Sequence, residues 1–270
     1  MPAADLSHPV ESGMPVYPGD PAVTVDPHAT MVADGYRVSA LSCGSHTGTH
    51  IDAPSHTEPD GRAIDEFPVS RFVRDAVRVD LRDHSPREPI RPADLPSVDA
   101  EAVVLWTGWD RHWGDADYLD HPYLTPAAAR HCVDYGYDVA VDALNVDPTP
   151  ATGAGGSNDP HATDGAGGSN EPHATDGAGG SNEPHATDGA GGSNEPHATD
   201  GAGGSNEPHA TDDDAVEGVP AHHELLGNDR LVVENLTNLG GVPERFELAA
   251  VPLALADGDG APVRAVARWD

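Results

Sequence analysis

The sequence predicts a single α/β domain in which a mixed β-sheet system is flanked by a few helices and interrupted by one low-complexity loop. Short apolar runs with β-strand character, two helices with recognisable start and stop residues, and a tract of repeats without large apolar residues support this fold class. The predicted strands cover residues 36–42, 76–81, 102–107, 137–143, 230–235, 247–255 and 262–269.

The clearest helix is predicted to begin after Thr125 and to end at Gly136. Thr125 suits the N-cap, Pro126 suits the first helical position, and glycine is common just past a helix end. Apolar runs at 102–107 and 137–143 lie on either side of this helix. A strand, a helix and a second strand in this order predict a crossover, and hence locally parallel strands.

Residues 46–56 hold four potential metal ligands in the order His46-Thr-Gly-Thr-His50-Ile-Asp52-Ala-Pro-Ser-His56. A straight strand would separate His46 from His50 by about 13 Å, whereas two imidazole nitrogens on one zinc ion each lie about 2.0–2.1 Å from it. The chain must therefore bend, and Gly48 and Pro54 permit a turn and prevent a continuous helix. We interpret this stretch as part of a metal site, rather than as a surface loop that is rich in histidine by chance.

Two further candidate ligands lie near the end of the chain. A second helix is predicted over about 220–226, ending at Gly227, and it contains His222. Glu234 ends the apolar strand that follows, where a carboxylate needs a compensating partner such as a metal ion. On these residues alone, His223 could replace His222 as the ligand, and Glu234 could be an exposed strand end.

The tract 153–212 consists of five copies of a twelve-residue unit, Gly-Ala-Gly-Gly-Ser-Asn-Glu-Pro-His-Ala-Thr-Asp, with Asp159 replacing Glu in the first copy. Such a tract cannot bury enough apolar surface to offset the entropy of ordering, so we expect a mobile loop. One domain should then comprise 1–152 and 213–270. Because each copy carries one histidine, a non-enzymatic protein that binds metal through the repeat is an alternative function.

The net charge of −32 comes from 46 acidic residues against 14 arginines, with no lysine. This excess opposes binding to nucleic acid or to anionic membranes. We expect a protein adapted to high salt, in which self-repulsion between acidic side chains is screened. Unfolding measured from low to multimolar salt tests this expectation, and equal or greater stability at low salt would contradict it. The absence of a leader and of a long apolar run favours a cytoplasmic protein.

Four stretches of the chain resemble the cyclase-like metal hydrolases, a family that includes bacterial kynurenine formamidase and isatin hydrolase. They are Asp5-Leu-Ser-His-Pro with Met14-Pro-Val-Tyr-Pro-Gly-Asp20, the motif 46–56, Trp106-Thr-Gly-Trp-Asp110, and Pro220-Ala-His222 with Val233-Glu-Asn-Leu-Thr237. The resemblance implies a cyclase-like swivelling β/β/α fold and a homo-oligomer, either a dimer or a tetramer. It further implies that His56 transfers protons and that the metal ligands are His46, His50, Asp52, His222 and Glu234. Pro220, two residues before His222, favours that histidine over His223.

The family resemblance also predicts the chemistry. Five ligands are too many for a single tetrahedral zinc ion with an open position. Either two ions share Asp52 and Glu234, or one ion of higher coordination number such as Mn²⁺ is bound. We expect one or two Zn²⁺ ions, with Mn²⁺ as the alternative. Such a metal activates water for hydrolysis of a carbon–nitrogen bond other than a peptide bond. The expected substrate is N-formylkynurenine, which would give kynurenine and formate. A cyclic amide or a lactone is the alternative substrate class.

Aromatic residues near these motifs are candidates for a substrate pocket. Trp106, Trp109 and Trp113 fall within eight residues, and with Tyr17 and Phe67 they are expected to contact an aromatic substrate. Ordinary core packing is the alternative role for all five side chains.

Overall fold

The fold is seen in a computed structural model that describes residues 1–150 and 218–270. The expectation of a mobile loop at 153–212 concerns residues outside those described. Three helices and twelve strands occur within the described ranges. The helices are α1 (Met31–Asp34), α2 (Pro126–Tyr135) and α3 (Pro220–Leu226). The strands are β1 (Ala3–Asp5), β2 (Thr24–Ala29), β3 (Val38–Ser42), β4 (His50–Asp52), β5 (Val73–Asp80), β6 (Pro89–Ile90), β7 (Ala102–Trp106), β8 (Tyr123–Leu124), β9 (Asp138–Val141), β10 (Val232–Glu234), β11 (Arg245–Pro252) and β12 (Gly260–Arg268).

The main sheet is mixed and has eight strands in the order β1-β12-β11-β5-β7-β9-β10-β4. Three neighbouring pairs are parallel, namely β5 with β7, β7 with β9, and β9 with β10. The remaining pairs in this order are antiparallel. Strand β4 also pairs with β12, so the sheet closes on itself. The predicted α/β class with a mixed sheet is therefore confirmed.

All seven predicted strands form, with ends that differ by a few residues. Six of them join the main sheet, whereas β3 pairs only with β2 in a separate two-stranded sheet. Every residue of β3 is exposed, so no apolar face draws this hairpin onto the main sheet. Strand β4 was not predicted, because three residues with two polar ligand-type side chains carry no strand pattern.

Helix α2 begins and ends at the predicted residues. The hydroxyl of Thr125 accepts a hydrogen bond from the Ala128 amide at 3.1 Å, and Gly136 adopts a left-handed conformation with φ of 77°. The helix connects β7 to β9, which pair in parallel, so the predicted crossover is confirmed. No helix in the described ranges is both long enough and apolar enough to cross a membrane.

The core has two layers separated by the main sheet. In β7, Val103 and Leu105 belong to the cluster that includes helices α2 and α3, whereas Ala102 and Val104 belong to the cluster enclosed by the sheet. Successive side chains of a strand point to opposite faces. Strands buried on both faces have continuous apolar sequences, which explains the uninterrupted run from Ala102 to Leu105. Strands β4 and β10 are thus held in this buried sheet by pairing with each other, with β9 and with β12.

Candidate metal centre

Strand pairing brings the two halves of the candidate site together. Strand β4 lies between β10 and β12, with Glu234 opposite His50 on one side and Gly260 opposite Asp52 on the other. His50 and Asp52 are two residues apart in a strand and therefore face the same side of the sheet. The ligand-type residues from positions 46–56 and 222–234 thus meet through the register of three strands.

The chain before β4 bends as the residues predict. Gly48 has φ of 61°, a left-handed conformation that favours glycine. Its carbonyl accepts a hydrogen bond of 2.8 Å from His50 Nδ1, which directs Nε2 of the same ring toward the carboxylates. After β4, Pro54 begins a single 3₁₀ turn that ends with His56. The bend therefore orients His50 and returns His56 to the site.

Four side chains gather around Asp52 at short range. His46 Nδ1 lies 2.7 Å and His50 Nε2 lies 3.2 Å from Asp52 Oδ1, and His222 Nε2 lies 3.5 Å from Asp52 Oδ2. Glu234 completes the group, with one carboxylate oxygen 3.6 Å from His50 Nε2 and the other 3.4 Å from His222 Nε2. Two sets of potential ligands share Asp52: His46 with His50, and His222 with Glu234.

His222 and His223 have different environments. His222 is buried, and its Nδ1 lies 2.8 Å from Asp147 Oδ2 while Nε2 faces the cluster. His223 is 56% exposed and contacts Glu58 on the surface. The structure thus places His222, and not His223, among the potential ligands.

The residues present fit a divalent cation. Asp52 Oδ2 is buried and has no hydrogen-bond partner among the described residues, although such groups normally have one. Imidazole nitrogens and carboxylate oxygens together suit divalent ions such as zinc and manganese. Burial alone would lower the pKa of His46, but its hydrogen bond to Asp52 and the facing carboxylates raise it to about 9. Metal binding at this site would therefore compete with protonation of His46.

His56 lies beside the cluster at the wall of a cavity. Its ring centroid is 4.0 Å from that of His46 and 5.8 Å from that of His222. The cavity has a volume of about 240 Å³, and its walls include Tyr17 and the proposed ligands. A larger depression of about 700 Å³ beside Arg245 contains none of these side chains. The smaller cavity therefore reaches the cluster, and the larger depression does not.

Of the expected aromatic pocket residues, Tyr17 alone lines this cavity. The other expected aromatic side chains lie outside the walls of this cavity, in the core or at the surface. Phe67 is buried in the cluster enclosed by the sheet. Trp109 is buried in the helix layer, where its ring N–H donates a hydrogen bond to the Asp117 carbonyl. Trp106 packs beneath arginine side chains. Trp113 stacks on His8 at 3.8 Å. Proximity in sequence could not distinguish these positions from pocket walls.

Several polar residues of the site were missed from the sequence. Asp147 holds His222, and Asp259 lies 3.0 Å from His46 Nε2. Asn145 and Asn235 line the cavity, and their side-chain oxygens accept hydrogen bonds from the Asp147 amide and the Tyr118 hydroxyl, respectively. The position of Asp147 just after β9, near the carboxyl ends of parallel strands, was an available signal. Asp259 has the sequence of an ordinary turn between two strands.

Comparison with known proteins adds a family and several relatives. Residues 4–148, just over half of the chain, match the family described as Putative cyclase. The chain is 28% identical to kynurenine formamidase of Salinibacter ruber over 98% of this chain and 96% of the relative. It is 23% identical to kynurenine formamidase of Geobacillus thermodenitrificans over 99% and 97% of the two chains.

Solved structures share the fold. An isatin hydrolase bound to the product analogue thioisatinate superposes with a TM-score of 0.68 at 20% identity, over 98% of this chain and 91% of that one. A potential metal-dependent hydrolase with cyclase activity superposes with a TM-score of 0.62 at 22% identity, over 98% and 96%. At these identities the likeness concerns the fold alone.

Proposed function

Since the chain belongs to the putative cyclase family, we propose that it is a metal-dependent hydrolase that converts N-formylkynurenine into kynurenine and formate. The observation that carries the proposal is the meeting of three histidines with the carboxylates of Asp52 and Glu234 beside a cavity. The similarity to kynurenine formamidases along almost the whole chain supports the formamide as substrate. The reaction cleaves a carbon–nitrogen bond that is not a peptide bond.

We propose Zn²⁺ as the metal, with Mn²⁺ as the alternative. His46, His50, Asp52, His222 and Glu234 would hold it, and the two ligand sets that share Asp52 support two ions. When bound, the metal would supply Lewis acidity and lower the pKa of water. Metal analysis of the purified protein tests both which metal is bound and how many ions each chain holds.

His56 is the proposed proton carrier. It lines the cavity and belongs to neither ligand set around Asp52, although it forms a third potential set with His46 and Asp259. We assign it proton transfer because that third set lacks the shared carboxylate of Asp52. Burial lowers the pKa of His56, which keeps the imidazole neutral and able to accept a proton near neutral pH. It would take a proton from the attacking water and deliver it to the leaving nitrogen.

The cavity residues suit a neutral acyl group attached to an aromatic amine. Val16, Leu144 and Val219 provide apolar surface, and Tyr17 provides an aromatic ring with a hydroxyl donor. Burial, together with the nearby Glu234 and Asp147, raises the pKa of Tyr17, so the phenol stays protonated. These walls would orient the ring of the substrate while the formyl group faces the cluster.

Turnover of a substrate panel tests the proposed reaction. We expect hydrolysis of N-formylkynurenine with a higher kcat/KM than that of isatin or of a simple lactone. Faster hydrolysis of a lactam or a lactone would assign the protein to the alternative substrate class. No turnover of any of them by metal-loaded protein would contradict a hydrolase.

We further propose that the repeat tract is an insertion that the site does not need. Asp147 precedes the tract, and its carboxylate accepts hydrogen bonds from the Ala221 and His222 amides at 2.8 and 3.0 Å. The chain segments on both sides are therefore joined directly. Deleting 153–212 should leave metal content and turnover unchanged, as measured by metal analysis and kinetics. Loss of most bound metal with the tract would instead favour metal binding by the repeat.

A further inference from the structure

Asp259 lies in the turn between β11 and β12 and faces two histidines of the motif 46–56. Its Oδ2 is 3.0 Å from His46 Nε2 and 3.7 Å from His56 Nδ1. One carboxylate oxygen thus lies between a proposed metal ligand and the proposed proton carrier. The side chain is 44% exposed, so its contacts with the histidines are not forced by deep burial.

The turn is packed tightly against the motif. The Asp259 carbonyl accepts a hydrogen bond of 2.9 Å from the Ala53 amide. A Cβ atom at Gly260 would lie 2.7 Å from the Ile51 carbonyl oxygen and 2.8 Å from His46 Cε1. Only glycine permits this approach, so the backbone brings the Asp259 carboxylate to the histidines and keeps it there.

The other two ligand histidines have an acceptor on their remote nitrogen. His50 Nδ1 donates to the Gly48 carbonyl, and His222 Nδ1 faces the Asp147 carboxylate, each at 2.8 Å. Such acceptors fix which nitrogen carries the hydrogen and which is free for a metal ion. For His46, Asp259 occupies the equivalent place, but on Nε2, while Nδ1 faces Asp52.

We propose that Asp259 is a positioning residue that holds His46 with Nδ1 toward the metal and aligns the ring of His56 beside it. The inference rests on the proposed metal site. By accepting the Nε2 hydrogen of His46, Asp259 selects the tautomer in which Nδ1 is the ligand. Because Asp259 faces Nδ1 of His56, Nε2 of that ring is free to accept a proton from the reacting water.

The test compares Asp259→Ala and Asp259→Asn with wild type, and uses Asp257→Asn as the matched control. Asp257 is an exposed acid in the same turn with φ of 54°, a conformation that asparagine tolerates. Zinc affinity of the metal-free protein is measured by competition with a chelator, and kcat and KM are measured on the zinc-loaded protein. Imidazole ¹⁵N shifts of the zinc-loaded wild type report which nitrogen of His46 binds the metal.

We expect Asp259→Ala to weaken zinc binding roughly 10- to 100-fold, the usual cost of losing such a partner, and to lower kcat more than it changes KM. Asp259→Asn keeps an oxygen acceptor without the charge and should fall between Asp259→Ala and wild type. Asp257→Asn should match wild type. The ¹⁵N shifts should show zinc on Nδ1 of His46.

Wild-type zinc affinity and kcat in Asp259→Ala, or zinc on Nε2 of His46, would overturn the inference. If the far-ultraviolet circular dichroism of Asp259→Ala shows misfolding, the zinc affinity and kcat of Asp259→Asn are compared with wild type instead. Wild-type values in Asp259→Asn would then overturn the inference. The zinc titration and ¹⁵N shifts need no substrate. Failure of wild type to hydrolyse N-formylkynurenine would therefore refute the proposed function only. The zinc titration and the ¹⁵N shifts would still decide whether Asp259 positions His46 at the metal.

Discussion

His50→Ala is expected to lose bound metal and to reduce hydrolysis to the background rate. His50 is buried, and its Nε2 lies within 3.2 Å of Asp52 and 3.6 Å of Glu234. Alanine removes this ligand and leaves the two carboxylates without an intervening imidazole. Metal content after dialysis and turnover of N-formylkynurenine measure the two effects.

Two further variants are compared with His50→Ala: His56→Ala tests the proposed proton carrier, and His223→Ala is the control. His56→Ala should keep its metal and lose roughly 10²–10⁴-fold in kcat, the usual contribution of a general acid–base residue. His223 is exposed and contacts Glu58, so His223→Ala should keep both metal and rate. Metal loss in His56→Ala as well as in His50→Ala would contradict the proposed division of roles.

Asp147→Ala should destabilise the protein and weaken metal binding together. The Asp147 carboxylate accepts from the backbone amides of Ala221 and His222 and also contacts His222 Nδ1. Leaving a buried donor without a partner costs about 1–3 kcal/mol, so two orphaned amides lower the free energy of unfolding by about 2–6 kcal/mol. The loss of the anchor on His222 should weaken metal affinity roughly 10- to 100-fold.

Denaturant unfolding of the metal-free protein measures the effect on stability alone. Metal titration of the folded variant then measures the effect on metal affinity. Asp134→Ala is the matched control, because Asp134 is an exposed acid in helix α2. Its free energy of unfolding should stay within about 0.5 kcal/mol of wild type, as for most surface substitutions. Equal stability of Asp147→Ala and Asp134→Ala would show that the Asp147 hydrogen bonds do not hold helix α3 in place.

Local signals in the sequence were sufficient for much of the fold. Thr125, Pro126 and Gly136 predicted the bounds of helix α2, because caps depend on side chains within one turn of the helix end. The apolar runs at 102–107 and 137–143 predicted parallel strands, since a helical connection between them imposes that direction. The pairing of β4 with both β10 and β12 had no such signal, since register depends on contacts between segments far apart in the chain.

For the candidate site, the sequence by itself determined the ligand-type residues and the bend at Gly48. Residue type and close spacing are local properties, and they suffice to suggest a metal. Only the tertiary structure decided that His222 rather than His223 faces Asp52, that Phe67, Trp106 and Trp109 lie away from the cavity, and that Asp259 touches His46. Those outcomes depend on strand register and on burial, which bring together residues separated by up to 213 positions.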